Sequence, residues 1–337
     1  MKQNLGYQNL GCDVKISRRR LLKTTAASIG SAAVIAPSAF AESFPARPIR
    51  LIVGYPPGGP NDIWGRLAGQ WLTERLGQPV IVENRPGASS NVAAEYLVHS
   101  APDGYTLFVA SFPNALNATL YDNLLFNYIR DTAPVAGIVR SPNVMEVNPD
   151  VPVKTVAEFI TYAKNNHVVF VSSGVGSSMH MSGELFKMTT GIDMQHVPYH
   201  GSAPALIDLI AGRGQVMFDA MASSIGYIKA GKLRALAVTA KERSSALPNV
   251  PTVGDTVAGF DVTAWFGLSA PANTPPEVID KLNAALNDAL AVPANQARIT
   301  ELGGTPFIVS PAEFGKFIAD ETAKWAKVVV TAGVKPD

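Results

Sequence analysis

An alternation constrains the fold of this chain more than anything else. Short apolar runs are each followed by a bend rich in Gly, Pro, Ser or Asn, and then by a helical pattern. "PIRLIV" (Pro48–Val53) reads as a buried strand. In the loop that follows, "GYPPGGP" (Gly54–Pro60), six of the seven residues are Gly or Pro. "DIWGRLAGQWLTERLG" is then helical, with Ile63, Leu67 and Trp71 four apart on one face. "PVIVEN" (Pro79–Asn84) and "YTLFVAS" (Tyr105–Ser111) are further strands, with a helix between them over roughly Asn91–Ser100. Strand–helix–strand at this spacing argues a parallel sheet with helices on both faces.

The pattern restarts near residue 150. "TVAEFITYAKN" (Thr155–Asn165) is helical and "VVFVSS" (Val168–Ser173) is a strand. "MSGELFKMTTG" is a helix closed by Gly191. "MQHVPY", "QVMFDAM" and "LRALAVT" are strands around the helix "APALIDLIAGR". The tail returns to helix in "PPEVIDKLNAALNDALA" and "PAEFGKFIADETAKWAKVVVTAG". Two stretches look like crossings between units, Val135–Pro149 outward and Phe260–Pro271 back. The expected fold class is therefore α/β, with two parallel-rich sheets joined by two crossover segments. Residues 44–143 with 263–337 are expected to form one domain, and 144–262 the other.

Residues 1–41 break the pattern. "SRRRLLK" (Ser17–Lys23) precedes a mildly apolar run, and "AFA" (Ala39–Ala41) has the small-x-small form of a signal-peptidase site. Ser-Arg-Arg-x-Leu-Leu-Lys resembles the twin-arginine export signal. The apolar run is too short and too diluted by Gly, Ser and Thr for a membrane span. The expectation is an exported, periplasmic protein cleaved near Ala41. Without that segment the chain keeps 22 Lys/Arg and 26 Asp/Glu, a net charge of −4. A mildly acidic protein has no electrostatic footprint for nucleic acid. The single cysteine, Cys12, lies in the export segment, so residues 42–337 hold themselves together without disulfides.

In open parallel sheets, ligands sit beyond the C-terminal strand ends, where helix N-termini point. The strand-end loops are "GYPPGGPND", "NRPGASSN", "ASFPN", "SSGVGSSMH", "YHGSAP" and "DAMASS"; none contains Lys, and only one contains Arg (Arg85). Gly58 and Gly59 let backbone amides approach a ligand. Pro56, Pro57 and Pro60 stiffen that loop. Asn61 or Asp62 can cap the helix after it, and Ser177 or Ser178 the helix after the second such loop. Helix N-termini with bare amides suit anions. Two such loops facing each other would grip a small carboxylate with dipoles and hydroxyls. Each loop taken alone reads equally well as a plain turn.

Enzyme motifs are lacking. Met179 stands where a dinucleotide fingerprint needs its third glycine, and there is no phosphate loop and no Gly-x-Ser-x-Gly elbow. Pro198 prevents His196 and His200 from sharing a helix face, so His180, His196 and His200 are expected to line or flank loops and not to hold a metal. Asp219 either binds a ligand amine or hydroxyl or caps the following turn. Trp265 and Phe266, on the return crossing, are core or a cover over a ligand. No catalytic residue, cofactor or metal is expected.

"YPPGGPND", "GQPVIVENRPGASSN", "APDGYTL", "HVPYHGSAPALIDLIAGRGQVMFD", "IKAGKLRALAVTAKERSSALPNVPTV" and "WFGLSAPANTP" resemble, in order and spacing, the tripartite tricarboxylate transporter substrate-binding proteins, or Bordetella uptake gene family. The resemblance runs from about Pro45 to the C-terminus. It departs at Tyr55, where Phe is usual, and at Ser89–Ser90, where Gly–Gly is common. It implies a periplasmic solute-binding protein of two α/β domains with a hinge and a small carboxylate between them. Carried over, Tyr55, Pro57, Gly58, Gly59, Asn61 and Asp62 form one jaw, and Ser173, Gly174, Ser177, Ser178 and His180 the other. Ser111, Tyr199, Gly201, Ser202, Ala203 and Asp219 would complete the pocket. The implied partner is a two-component membrane permease, served by a monomeric receptor. A ligand-presenting sensor subunit and an exported enzyme on the same fold are the alternatives.

Overall fold

β1 (Ile49–Val53) runs parallel to both of its neighbours, β2 (Val80–Asn84) and β3 (Thr106–Ser111). Its side chains alternate between two buried faces, so both faces are apolar. Leu51 and Val53 meet Trp64 and Leu72 of α1 (Pro60–Leu76), while Ile52 joins Phe108 and Leu97 on the other face. This is the computed structural model of the chain; it describes residues 44–121 and 123–335, and the expected export segment lies outside them.

After β2 a 3-10 turn (Ala88–Ser90) leads into α2 (Asn91–Val98), and after β3 come α3 (Phe112–Leu120) and α4 (Tyr128–Asp131). β4 (Thr132–Val147) is sixteen residues long. Then follow α5 (Val156–Asn165), β5 (Val169–Ser172), α6 (Ser178–Thr190), β6 (Gln195–Pro198), α7 (Ser202–Ile210), β7 (Val216–Ala220), α8 (Met221–Lys229) and β8 (Arg234–Val238). β9 (Thr263–Pro271), α9 (Pro276–Leu290), α10 (Pro293–Glu301), β10 (Thr305–Pro306) and α11 (Pro311–Ala332) complete the chain.

The strands lie in the order β2-β1-β3-β9-β4-β7-β5-β6, with β8 and β10 also on β4. β5 is parallel to β6 and β7, as the alternation predicts. The two crossings are themselves strands and pair antiparallel. β9 runs against β3 and against Thr132–Pro142 of β4, and Asn143–Val147 of β4 continue against β7. The polypeptide thus passes from one group of parallel strands to the other along a single strand.

Four helices beyond the sequence reading appear: α3, α4, α8 and α10. α11 lies across this side of the fold, burying Phe314, Ile318, Trp325 and Val329. Trp265 is fully buried, edge-on to Phe314 and Phe317 at 5.9 and 5.5 Å, so it belongs to the core and is no ligand cover. Among the described residues, no helix is long and apolar enough to cross a membrane.

Candidate functional site

Four helices begin at one cavity. The N-terminal residues of α1 (Gly59, Pro60, Asn61), α3 (Ser111, Phe112, Pro113), α6 (Ser177, Ser178, Met179) and α7 (Gly201, Ser202) all line it. Each helix follows the C-terminal end of a strand, so the arrangement comes directly from the sheet. First-turn amides have no partner within their own helix, and the positive ends of four helix dipoles meet here. The wall carries no Lys, Arg, Asp or Glu. The space free for water at this wall is about 20 Å³, room for roughly one molecule. A larger chamber of about 540 Å³ adjoins it, sharing Tyr55, Pro56, Ser173 and Gly201.

The first jaw is tied down by a carboxylate beneath it. Asp62 Oδ2 accepts from the Gly58 amide at 3.0 Å and from Arg66 Nε at 2.9 Å. Asn84 Nδ2 donates to Asp62 Oδ1 and to the Tyr55 carbonyl, both at 2.9 Å. Burial raises the Asp62 pKa, but the Arg66 guanidinium and the Gly58 and Asn84 donors outweigh it and hold the carboxyl below its ordinary range. Asn61 Nδ2 donates to Ser111 Oγ at 2.9 Å, joining the starts of α1 and α3.

The second jaw is built from serines. Ser177 caps α6, accepting from His180 N at 3.2 Å, and Ser177 Oγ donates to the Gly174 carbonyl at 2.7 Å. Gly176 N donates to His180 Nδ1 at 3.2 Å, which places the imidazole proton on Nε2. His180 stacks on His196 at 3.9 Å between ring centroids, with 8° between the planes, and His196 stacks on Phe170. Burial drives both rings down, His180 to about 3 with help from His196 and Lys187, and His196 to about 4 with help from Lys187. Both are neutral at pH 7, as such a stack requires. His200 is exposed and lines the outer chamber. Among the described residues, no group of three metal-ligating side chains forms.

Of the residues singled out from the sequence, Tyr55, Gly59, Asn61, Ser111, Ser173, Ser177, Ser178, Gly201 and Ser202 line the inner cavity. Gly174 and Tyr199 line the outer chamber. Six do not reach either space. Pro57 and Gly58 are exposed, because the loop turns its Pro56 face inward. Asp62 lies under the loop and His180 behind its own, both buried. Ala203 packs beside Gly58. Asp219 is fully buried behind Ser202, accepting from its Oγ at 2.8 Å, and it sits just ahead of α8, where Ser223 and Ser224 also donate to it. Asp62 and Asn61 were expected as caps of α1; Gly59 takes that place, with Pro60 as the first helical residue.

Phe266, unlike Trp265, lines the inner wall; sequence reasoning missed Phe112 and Ala264 there, and Ser89, Ser90 and Tyr121 in the outer wall. The signal for the serines was present, since they occupy the strand-end loop "NRPGASSN". Ala88, Ser89 and Ser90 all have left-handed φ, of 44°, 48° and 75°. Gly54 allows this turn to close: a Cβ there would lie 1.8 Å from Ser90 Oγ. Across the cleft, Ser89 Oγ donates to the Val175 carbonyl at 2.5 Å.

The model of the tripartite tricarboxylate transporter family receptor matches residues 65–334. The Bordetella pertussis protein BugT is 36% identical over 94% of this chain and 98% of its own. A solved structure of an R. palustris protein with adipate is 35% identical, with a TM-score of 0.85 over 87% of this chain and all of its own. MatC from Rhodopseudomonas palustris with bound malate is 32% identical, with a TM-score of 0.80 over 85% of this chain and all of its own. With matched residues, fold and strand-end loops all in agreement, this chain belongs to the tripartite tricarboxylate transporter receptor family.

Proposed function

We propose that this protein is a periplasmic receptor that captures a small organic carboxylate in the inner cavity and delivers it to a two-component membrane permease. The observation that carries the reading is the convergence of four helix N-termini on a wall without charged side chains. Each N-terminus contributes roughly half a positive charge. Together with the hydroxyls of Ser111, Ser173, Ser177 and Ser178, they compensate an anion without a cationic side chain. The outer chamber then takes the remainder of the acid. Relatives whose structures hold adipate and malate support the same class of ligand.

A space of about 20 Å³ is too small to seat a whole organic acid, so the jaws part as the ligand takes its place. The hinge lies where β4 leaves β9 and joins β7, at Pro142–Asn143, and at the start of β9. This boundary divides the chain into 44–143 with 263–337 and 144–262. Closure exchanges ligand contacts for the freedom of the two halves. The protein binds its ligand without converting it.

A thermal-shift screen of about a hundred carboxylates tests the reading, since a ligand raises the melting temperature with the logarithm of its excess over the dissociation constant. At least one acid should raise it, with one-to-one calorimetric stoichiometry and no turnover by NMR. If no acid does so, or if the bound acid is consumed, the reading fails.

A further inference from the structure

The buried carboxylate behind the inner cavity has no role in gripping an anion, and it has no cationic partner among the described residues. Asp219 is surrounded by hydroxyls. Oδ1 accepts from Ser202 Oγ at 2.8 Å, and Oδ2 accepts from Ser223 and from Ser224 Oγ at 2.7 Å. Ser224 Oγ also lies 2.6 Å from Oε1 of Glu146, which is fully buried on the neighbouring strand. A hydroxyl has one proton. One of the two acids must then carry a proton. The surroundings assign it to Glu146, whose Oε2 has no partner, while Asp219 accepts from two further hydroxyls. Ser224 gives its proton to Asp219 and receives one from a neutral Glu146. Burial raises the Glu146 pKa well above its ordinary value, with the Asp219 charge adding to it; burial raises Asp219 as well, but three serine hydroxyls and the Ala220 amide oppose that rise, whereas Glu146 has Ser224 alone. Asp219 is then an ionised acceptor for three serines.

The consequence falls on Ser202. Its hydroxyl proton is committed to Asp219, because a charged acceptor at 2.8 Å outcompetes the only alternative, Met179 Sδ at 3.5 Å. Ser202 stands in the inner wall as the first residue of α7, with its amide and Cβ facing Gly59. One residue therefore carries two opposite groups: an amide that faces Gly59 and donates, and an oxygen beside the wall left with only lone pairs. A carboxylate held on the amide brings its neighbouring carbon to the oxygen. A second anionic oxygen there would meet lone pairs backed by a negative charge. A hydroxyl or ammonium there would complete the bond.

We propose that Asp219 is a positioning residue that sets ligand choice: by taking the Ser202 proton, it makes the receptor select acids carrying a hydroxyl or ammonium on the carbon beside the captured carboxylate. The inference rests on the carboxylate-receptor reading and narrows its substrate class.

The test is calorimetric titration of the purified protein with matched sets that differ only at that carbon: succinate, L-malate and L-aspartate; glutarate, 2-hydroxyglutarate and L-glutamate; phenylacetate, mandelate and phenylglycine. In at least one set, a substituted acid should bind ten-fold or more tighter than its unsubstituted parent. Asp219→Asn offers Ser202 an amide donor and should shrink that ratio ten-fold or invert it. Ser202→Ala keeps the backbone amide, removes the acceptor and should bring the ratio within about three-fold. It also serves if Asp219→Asn fails to fold. Parent acids binding as tightly as their substituted partners, or a ratio that survives Ser202→Ala, overturns this inference alone. Failure of every acid in the panel and in the wider screen overturns the receptor reading, and this inference with it.

Discussion

Gly59 offers the cleanest separation of binding from folding. Its φ and ψ are −88° and 174°, ordinary extended values that any residue adopts. A Cβ placed on it would meet nothing closer than Ser202 N at 3.8 Å. Gly59→Val therefore imposes no backbone strain, and its Cβ meets no clash within the protein. It does place three carbons in a space of about 20 Å³ that is needed by the carboxylate. The displaced anion loses at least two charge-assisted hydrogen bonds, each worth about 1.5–3 kcal/mol. The sum of about 3–6 kcal/mol corresponds to an affinity loss of about a hundred- to ten-thousand-fold. As an N-cap, Val is poorer than Gly by no more than about 1 kcal/mol, a shift of about 2–4 °C in melting temperature for a chain of this size. Calorimetry and thermal melting of the two proteins decide the matter. Affinity within ten-fold of the parent, or a melting loss well beyond that range, would refute the placement of the carboxylate against Gly59.

Ser89→Gly releases a left-handed residue at φ 48°, worth about 1–2 kcal/mol of strain, and removes the bond to the Val175 carbonyl across the cleft. Stopped-flow association should speed up as the shut, empty form loses a contact, and an unchanged rate would count against the bond as a latch. His180 and His196 are depressed to about 3 and about 4, so their share of stability is complete above about pH 6.5 and drains away as pH falls through those values. Glu146 and Asp219 are raised by burial and act with the opposite slope, their share declining as pH rises. His196→Phe keeps the stack and removes one titration, so its melting temperature should fall less steeply between pH 6.5 and 4; an identical slope would contradict the assignment. Trp265→Ala should cost about 3–5 kcal/mol in denaturant unfolding, as for a fully buried indole. A cost below about 1 kcal/mol would place Trp265 outside the core.

The elements that carried a local signal were readable. Gly191 closes α6 in the left-handed conformation and Ser177 caps its start, each as its residue type dictates. α3 and α8 were not readable for a physical reason. Pro113 and Asn114 suit a turn as well as a first helical turn, and α8 starts from Ala220 without a side-chain cap while its two serines turn to Asp219. The site shows the same division. That small polar loops gather at strand ends follows from the alternation alone. That Pro56 and not Pro57 faces the cavity depends on loop dihedrals, and that Asp219 lies behind Ser202 depends on pairing β7 with a strand about 75 residues earlier, with Val144 opposite Asp219. Neither is a short-range property of the chain.

The connectivity of β4 and β9 also gives assembly an order. Every strand of the later group, β4 to β8, has been supplied by Val238, whereas the earlier group waits for β9 at Thr263–Pro271 and for the closing helices behind it. Ala264 and Phe266, which β9 contributes to the cavity wall, are thus late arrivals at a pocket whose other components are already in hand. An interrupted or clipped polypeptide can be half built, but it has no anion trap. Capture of solute then serves as the molecule's own certificate of completeness.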